Sequence, residues 1–377
     1  MRKIVFCFLG MLYVLCLSAA GNDVKVKIRS RALLDATLSG YGTDHTQAYY
    51  RLEDFRFGAK ASFGNFDLKA DLAYGNNKVS LKDLLLTYSL PNSLLIVGNT
   101  YEPFSMDMLI STADLRFHQS AASVLAFTNS RKLGVTYHYY LPEWYAATGV
   151  YTHNDINKIG TEQQLNSWIS TSRVAKRFFN HSSTDLFHVG AAFSFRSKDA
   201  GNDNPQRTVK SDGVTAMLGE PLLEVELENI TTEWKSVFEL LYANSSFLLQ
   251  GEYFVDCFNR QDNQGKYCFH GGYIQASYLI IGKNGFLYDM QQAIPGRPLC
   301  DRAVELTARV NYTDMTSGNY AESRGGREWD LSLGINYYIN QHIGIKWSNS
   351  FVFTGGLHNS FYRQNMFISQ LRCQYIF

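Results

Sequence analysis

Proline is scarce in this chain, seven in 377 residues, and after Leu17 no apolar run reaches the ~18 residues that mark a membrane-crossing helix. No C-x-x-C pair marks a zinc or redox centre. Neither G-x-S-x-G nor H-E-x-x-H occurs, and histidines such as His138, His153, His188 and His342 stand singly, so nothing pairs a nucleophile with a base. Charge of one sign is missing as well: the formal net charge is +1, which gives no global steering toward nucleic acid or acidic partners. What the chain has in quantity is aromatics, 24 Tyr and 25 Phe. At that density, without long apolar runs, they suit many amphipathic strands.

The first twenty residues stand apart. MRKIVFCFLGMLYVLCLSAA carries two positive charges, an apolar run from Ile4 to Leu17 and small residues at its end, the pattern of a secretory signal peptide. An anchoring helix is the alternative, and the run falls short of the ~20 residues needed to span. Residues 1–20 are therefore expected to be removed, leaving 21–377 as the folded domain. Four cysteines remain in a compartment that permits disulfides. Cys257 and Cys268 bracket the polar stretch FNRQDNQGKY; a bridge between them and two unpaired thiols both stay open.

Periodicity of two runs through the rest. VKVKIRSRALL sets Val24, Val26, Ile28 and Leu34 against Lys25, Lys27, Arg29 and Arg31, and FRFGAKASF sets Phe55, Phe57 and Phe63 against Arg56 and Lys60. The separators alternate between tight links, such as Gly64-Asn65 and Pro91-Asn92, and long polar ones, such as 101–130 and 198–231. Short turns at one end and long loops at the other predict an outer-membrane barrel. The count gives an all-β, sixteen-stranded antiparallel transmembrane β-barrel with two irregularities: the link near Asn76 is short for its side and the link over 283–302 is long for its side. The closing run LRCQYIF alternates to Phe377 and is expected to pair with the first strand.

From about residue 79 the chain resembles the phosphate-selective porin (porin O and P) family. VGNTYEPFSMDMLISTADLRF, residues 97–117, is similar to the family's third-loop region, and FHVGAAFSFR, SVFELLYANSSFLLQGEYF, GGYIQASYLIIG, AVELTARVNYTDM and LSLGINYYIN follow in order. The resemblance implies a third loop folded into the pore, homotrimers in the outer membrane of a Gram-negative-type cell, and passive diffusion of small anionic or neutral solutes, phosphate among them, with no cofactor. One departure bears on phosphate: after Phe117, Gln119 and Ser120 stand where the family carries a charged pair.

A pore selects by wall charge and narrowest diameter. Parity puts Lys27, Arg29, Arg31, Arg56, Lys60, Lys69, Arg173, Arg196, Arg309, Lys346 and Arg372 in the lumen, against fewer acids, chiefly Asp54, Asp67, Asp71 and Glu305. This predicts an anion path, since guanidinium forks bind phosphate and carboxylate; a lumen of internally paired ions is the bland alternative. The loop from Tyr101 to Ser130 is the expected constriction, with Pro103 and Phe104 at its start, Phe104, Met106, Met108, Leu109 and Ile110 as wall anchors, and Arg116, His118 and Arg131 toward the passage. The 198–231 link, with Glu224, Glu226 and Glu228, is a second segment that could fold inward and oppose anions. Two other classes stay in view: a plugged barrel with a receptor or adhesion role, and a barrel hydrolase.

Overall fold

The computed structural model describes residues 24–41, 45–75, 78–154, 156–158, 167–179, 185–261, 265–318, 324–356 and 364–377. The expected signal peptide and the tips of several long loops lie outside them. The first half of the wall comprises β1 (Lys25–Tyr41), β2 (His45–Phe63), β3 (Phe66–Gly75), β4 (Lys78–Leu90), β5 (Ser93–Thr100), β6 (Lys132–Tyr140), β7 (Trp144–Thr152), β8 (Trp168–Phe179) and β9 (Leu186–Arg196). A hairpin of β10 (Arg207–Ser211) and β11 (Leu223–Leu227) precedes β12 (Ile230–Ala243), β13 (Phe247–Arg260) and β14 (Lys266–Ile281). A second hairpin, β15 (Phe286–Asp289) and β16 (Ile294–Pro298), precedes β17 (Ala303–Thr316), β18 (Arg324–Tyr338), β19 (Ile343–Gly355) and β20 (Asn365–Ile376).

Sixteen of these strands, all but β10, β11, β15 and β16, close into one antiparallel barrel. The closing seam pairs β1 with β20 from Arg31 opposite Ile376 to Tyr41 opposite Met366, and Ser30 and Phe377 exchange backbone hydrogen bonds of 3.0 and 2.8 Å. The period-two pattern thus has its physical cause: along the paired stretches backbone groups find partners across each seam, and a closed sheet has no free edge strand. The tight link at Pro91-Asn92 works because Asn92 takes the left-handed conformation (φ 57°) that short hairpins demand. Outward faces are apolar and exposed, with Phe55, Phe57, Val150, Phe193, Phe238, Ile274 and Trp347 among them.

The two irregularities have different outcomes. The link after β3 is short in fact, since β3 ends at Gly75 and β4 begins at Lys78. The 283–302 link is long because it carries the β15–β16 hairpin, which bonds to inward-facing side chains of the wall. Arg173 on β8 donates to the carbonyls of Gln292 and Ala293 at 2.7 Å each, and Arg177 donates to that of Met290 at 2.9 Å. Tyr288 meets His188 at 3.0 Å.

From the long-loop end, β10–β11 packs Val209, Leu223, Val225 and Leu227 against Phe127 and the inward Phe254, Phe258 and Phe269. The barrel interior therefore holds an apolar core at this end. The acids of that hairpin turn away from it: Glu224 and Glu226 alternate outward as exposed residues along β11, because the intervening Leu and Val positions are the ones buried.

Candidate functional site

The segment between β5 and β6 holds a helical turn at Met106–Leu109 and a short helix at Ala122–Phe127. Its bonds run to inward side chains. Glu252 on β13 accepts from the backbone N–H groups of Met106 (2.8 Å) and Asp107 (3.1 Å) and from the Ser105 hydroxyl (3.0 Å), placing a carboxylate against the orphan donors that begin the turn. Phe104 is buried against Phe254, ring centroids 6.2 Å apart, and Pro103 is buried beside it. Met106 packs with Leu186, Leu241 and Leu248. On the opposite side Arg31 donates to Ser111 at 2.7 Å.

Between this segment and the wall of β1 to β5 lies a cavity of about 300 Å³. Six basic residues line it (Arg29, Arg31, Arg56, Lys69, Arg131, Arg297), with three acids (Asp71, Asp83, Asp114), while Leu109, Ile110, Ser111 and Thr112 form the loop side. The register explains the clustering, since Arg31 stands directly opposite Arg56 across β1 and β2. Both guanidiniums lean on one carboxylate: Asp54 accepts from Arg31 Nε at 2.8 Å and lies 3.3 Å from Arg56 Nη2. That leaves the pair one positive charge in excess, and Arg56 Nε has no hydrogen-bond partner among the described residues.

Next in the row, Arg29 faces Gly58, and Gly58 faces Asp71. A Cβ on Gly58 would lie 1.8 Å from the Asp71 carboxylate, so glycine makes room for the acid. Lys69 bridges Asp71 (3.2 Å) and Asp83 (2.5 Å), and Arg131 shares Asp83 (2.5 Å) while stacking over Tyr101 at 4.2 Å. Lys60 pairs with Asp67 at 3.0 Å. Lys27 is exposed on the part of β1 that precedes the β20 pairing, opposite Lys60.

Several expectations need correcting. Arg116 and His118 do not look into the passage. Arg116 is buried, 3.2 Å from Glu305, and donates to the Gly296 carbonyl at 2.9 Å. His118 sits 3.1 Å from Ser348, and burial, with Arg372, Lys346 and Arg309 nearby, holds it neutral, its pKa well below the usual imidazole value. Both turn to the far wall because the far wall holds their partners.

Five of the expected pore-lining cations face inward but are consumed by structure. Arg173 is locked on Glu239 at 3.0 Å, Arg196 on Asp199 at 3.0 Å, and Arg372 on Asp35 at 2.6 Å. Lys346 donates to the carbonyl of Ala113 at 2.9 Å and Arg309 to that of Gln119 at 3.1 Å. The luminal acids are also more numerous than the four expected: Asp35, Asp83, Glu233, Glu239, Glu252, Asp256, Glu328 and Asp330 are buried polar residues as well. Asp83 was hidden by a register shift between Asp71 and Leu72, which reverses the parity of β4 relative to β3. Arg297 sits in an insert that no strand count would point inward.

Gln119, at the position that departs from the resemblance, donates to the Gly213 carbonyl at 2.6 Å and so ties the two long inserts together. Cys257 and Cys268 lie opposite each other on β13 and β14, joined by a disulfide at a Cα separation of 4.2 Å.

The family profile for phosphate-selective porin O and P matches residues 20–347. The chain belongs to the phosphate-selective porin O and P family. An uncharacterised protein of Caulobacter vibrioides is 25% identical over 313 residues, 76% of this chain and 58% of the relative, so the chain spans under two thirds of that relative's length. Among solved structures, OmpT of Vibrio cholerae matches with a TM-score of 0.59 at 11% identity, covering 94% of this chain and 98% of that one. The high-pH structure of OprB from Pseudomonas putida gives 0.60 at 9% identity (93% and 94% covered), and the anion-selective porin from Comamonas acidovorans gives 0.57 at 12% (94% and 100%). These three likenesses concern the porin barrel itself, which this family member shares nearly end to end.

Proposed function

We propose that this porin is an outer-membrane channel for passive diffusion of small solutes with a weak to moderate preference for anions, reached after removal of residues 1–20. The carrying observation is the charge on the remaining passage, six basic residues against three acids, with Arg31 and Arg56 sharing one carboxylate. The segment Tyr101–Ser130 supplies the constriction through Leu109 to Thr112. Phosphate is within the solute class by family membership, and the absence of a charged pair after Phe117 argues for weak rather than tight binding. Trimeric assembly is supported by a neighbour solved in a trimer form, the OmpT of Vibrio cholerae.

A plugged barrel is the second reading, because inserts from both ends pack apolar side chains against the inner wall. Planar-bilayer recording separates them. The porin reading expects steady single-channel conductance and, under a salt gradient, a reversal potential of the anion sign. A silent bilayer favours the plug, and a cation-signed potential at low salt removes the anion preference.

A further inference from the structure

The outer wall of β6 to β9 departs from its surroundings. Lipid-facing positions there are mostly large, with Tyr137, Tyr139, Val150, Val174 and Phe193 all exposed, yet Ala146, Thr148, Ser172 and Ala191 cluster among them and line a groove of about 480 Å³. That volume falls in the range of ligand sites, roughly 300–1,000 Å³. Besides the phenols of Tyr137 and Tyr139, two of its small residues, Thr148 and Ser172, carry hydroxyls, which are costly to face hydrocarbon unpaired. Thr148 and Ser172 share one hydrogen bond across β7 and β8, Thr148 Oγ1 to Ser172 Oγ 2.9 Å, which lowers the cost of placing these hydroxyls on the floor of the groove.

One step along the same face toward the short-turn end, the register places Lys176 beyond Val174 and opposite Trp144, roughly 7 Å from the groove at ~3.4 Å per residue. Lys176 Nζ lies 2.7 Å from Glu143 and 4.5 Å from the Trp144 ring centroid. A fixed cation and a fixed anion side by side complement a headgroup that carries both signs. Their distance from the groove matches the glycerol span between an acyl chain and its phosphate.

We propose that this groove and the Lys176–Glu143 pair form a binding site for one zwitterionic, phosphoethanolamine-type phospholipid of the leaflet nearest the short turns. The acyl chain fills the groove, the phosphate lies on Lys176, and the ammonium lies on Glu143. Inside a bilayer there is no hydrophobic drive toward the wall, so retention comes from packing and selectivity from the polar pair. The inference rests on the membrane reading given above, under which this wall faces lipid.

Native mass spectrometry of the detergent-purified porin, titrated with palmitoyl-oleoyl phosphatidylethanolamine or the matching phosphatidylglycerol, tests it. The expected result is one retained lipid per chain and about tenfold tighter retention of phosphatidylethanolamine. Thr148→Leu with Ser172→Leu, which fill the groove with apolar atoms, should abolish retention. Lys176→Gln with Glu143→Gln should erase the preference between the two lipids. Heat-modifiable migration checks that each variant is still a barrel, and Ala146→Leu is the milder filling variant if the double one is not. Equal retention by filled and unfilled grooves overturns the site, as does a filled groove that changes only the oligomer mass, which would assign it to a second copy. A chain that stays soluble without detergent would instead strike the membrane reading, a separable failure.

Discussion

Replacing Arg29, Arg56 and Arg131 together by Gln removes three of the six cations on the passage and leaves three against four acids once the Asp54 carboxylate shared by Arg31 and Arg56 is counted, while each Gln keeps an N–H donor. In the unmodified chain the same count gives a net charge of +2. A mobile ion in a cavity of about 300 Å³ sits about 6 Å from the lining charges, and at that distance each excess charge is worth ~0.7 kcal/mol in water, reduced to ~0.4 by screening at 0.1 M salt. Two such charges attract an anion and repel a cation by ~0.8 kcal/mol each, a difference of ~1.5 kcal/mol or a ratio of about 10 in partitioning. At 1 M salt the Debye length of ~3 Å cuts the same difference to ~0.4 kcal/mol, under about twofold. Reversal potentials across a planar bilayer should therefore show clear anion preference at 0.1 M that fades at 1 M, and the triple variant, with one negative charge in excess, should cross to a weak cation preference at 0.1 M and sit near zero at 1 M. A triple variant that keeps its anion preference at 0.1 M would show that selectivity is set elsewhere than along β1 to β5.

Release of the β15–β16 hairpin should widen the channel. Arg173→Met with Glu239→Gln removes a buried pair without stranding a charge and deletes the two donors to Gln292 and Ala293; single-channel conductance and labelling of Tyr288→Cys should both rise, and unchanged labelling refutes the tether. Acid should loosen the loop that carries His118. Its imidazole is held neutral when docked, so an undocked loop takes up a proton below the ordinary value of about 6.5 and docking weakens progressively as the pH falls through that value, with no change well above it. Channel noise should follow that window, and His118→Asn should abolish it. Removing the disulfide by Cys257→Ser should lower resistance to thermal unfolding by about 3 kcal/mol or less, given the short loop it closes; alkylation of Cys257 and Cys268 in non-reduced protein, beyond the free Cys300 and Cys373, would show that no bridge forms.

The wall was legible because its cause is local. Alternating residues such as those around Phe55 and Lys60 must place one set in lipid and the other inside, so strand number and pairing follow from counting. The basic stripe of Arg29, Arg31, Arg56 and Lys69 could be read for the same reason. What escaped was everything that breaks alternation. The register shift beside Leu72 hid Asp83, and an aromatic on an alternating strand does not show by itself which face it takes: Phe254, Phe258 and Phe269 turn inward, where β10–β11 packs against them. Arg116 and Arg173 looked like pore charges, since a sequence shows a guanidinium but not the carbonyl that occupies it.

The bond from Arg116 to Gly296 joins two segments that enter the lumen from opposite mouths. One belongs to the long loop after β5, the other to the hairpin before β17, and 180 residues separate them in sequence. In a membrane those mouths open into different compartments, so one guanidinium–carbonyl bond ties a segment entering from one side to a segment entering from the other, and the two inserts brace each other inside the closed wall.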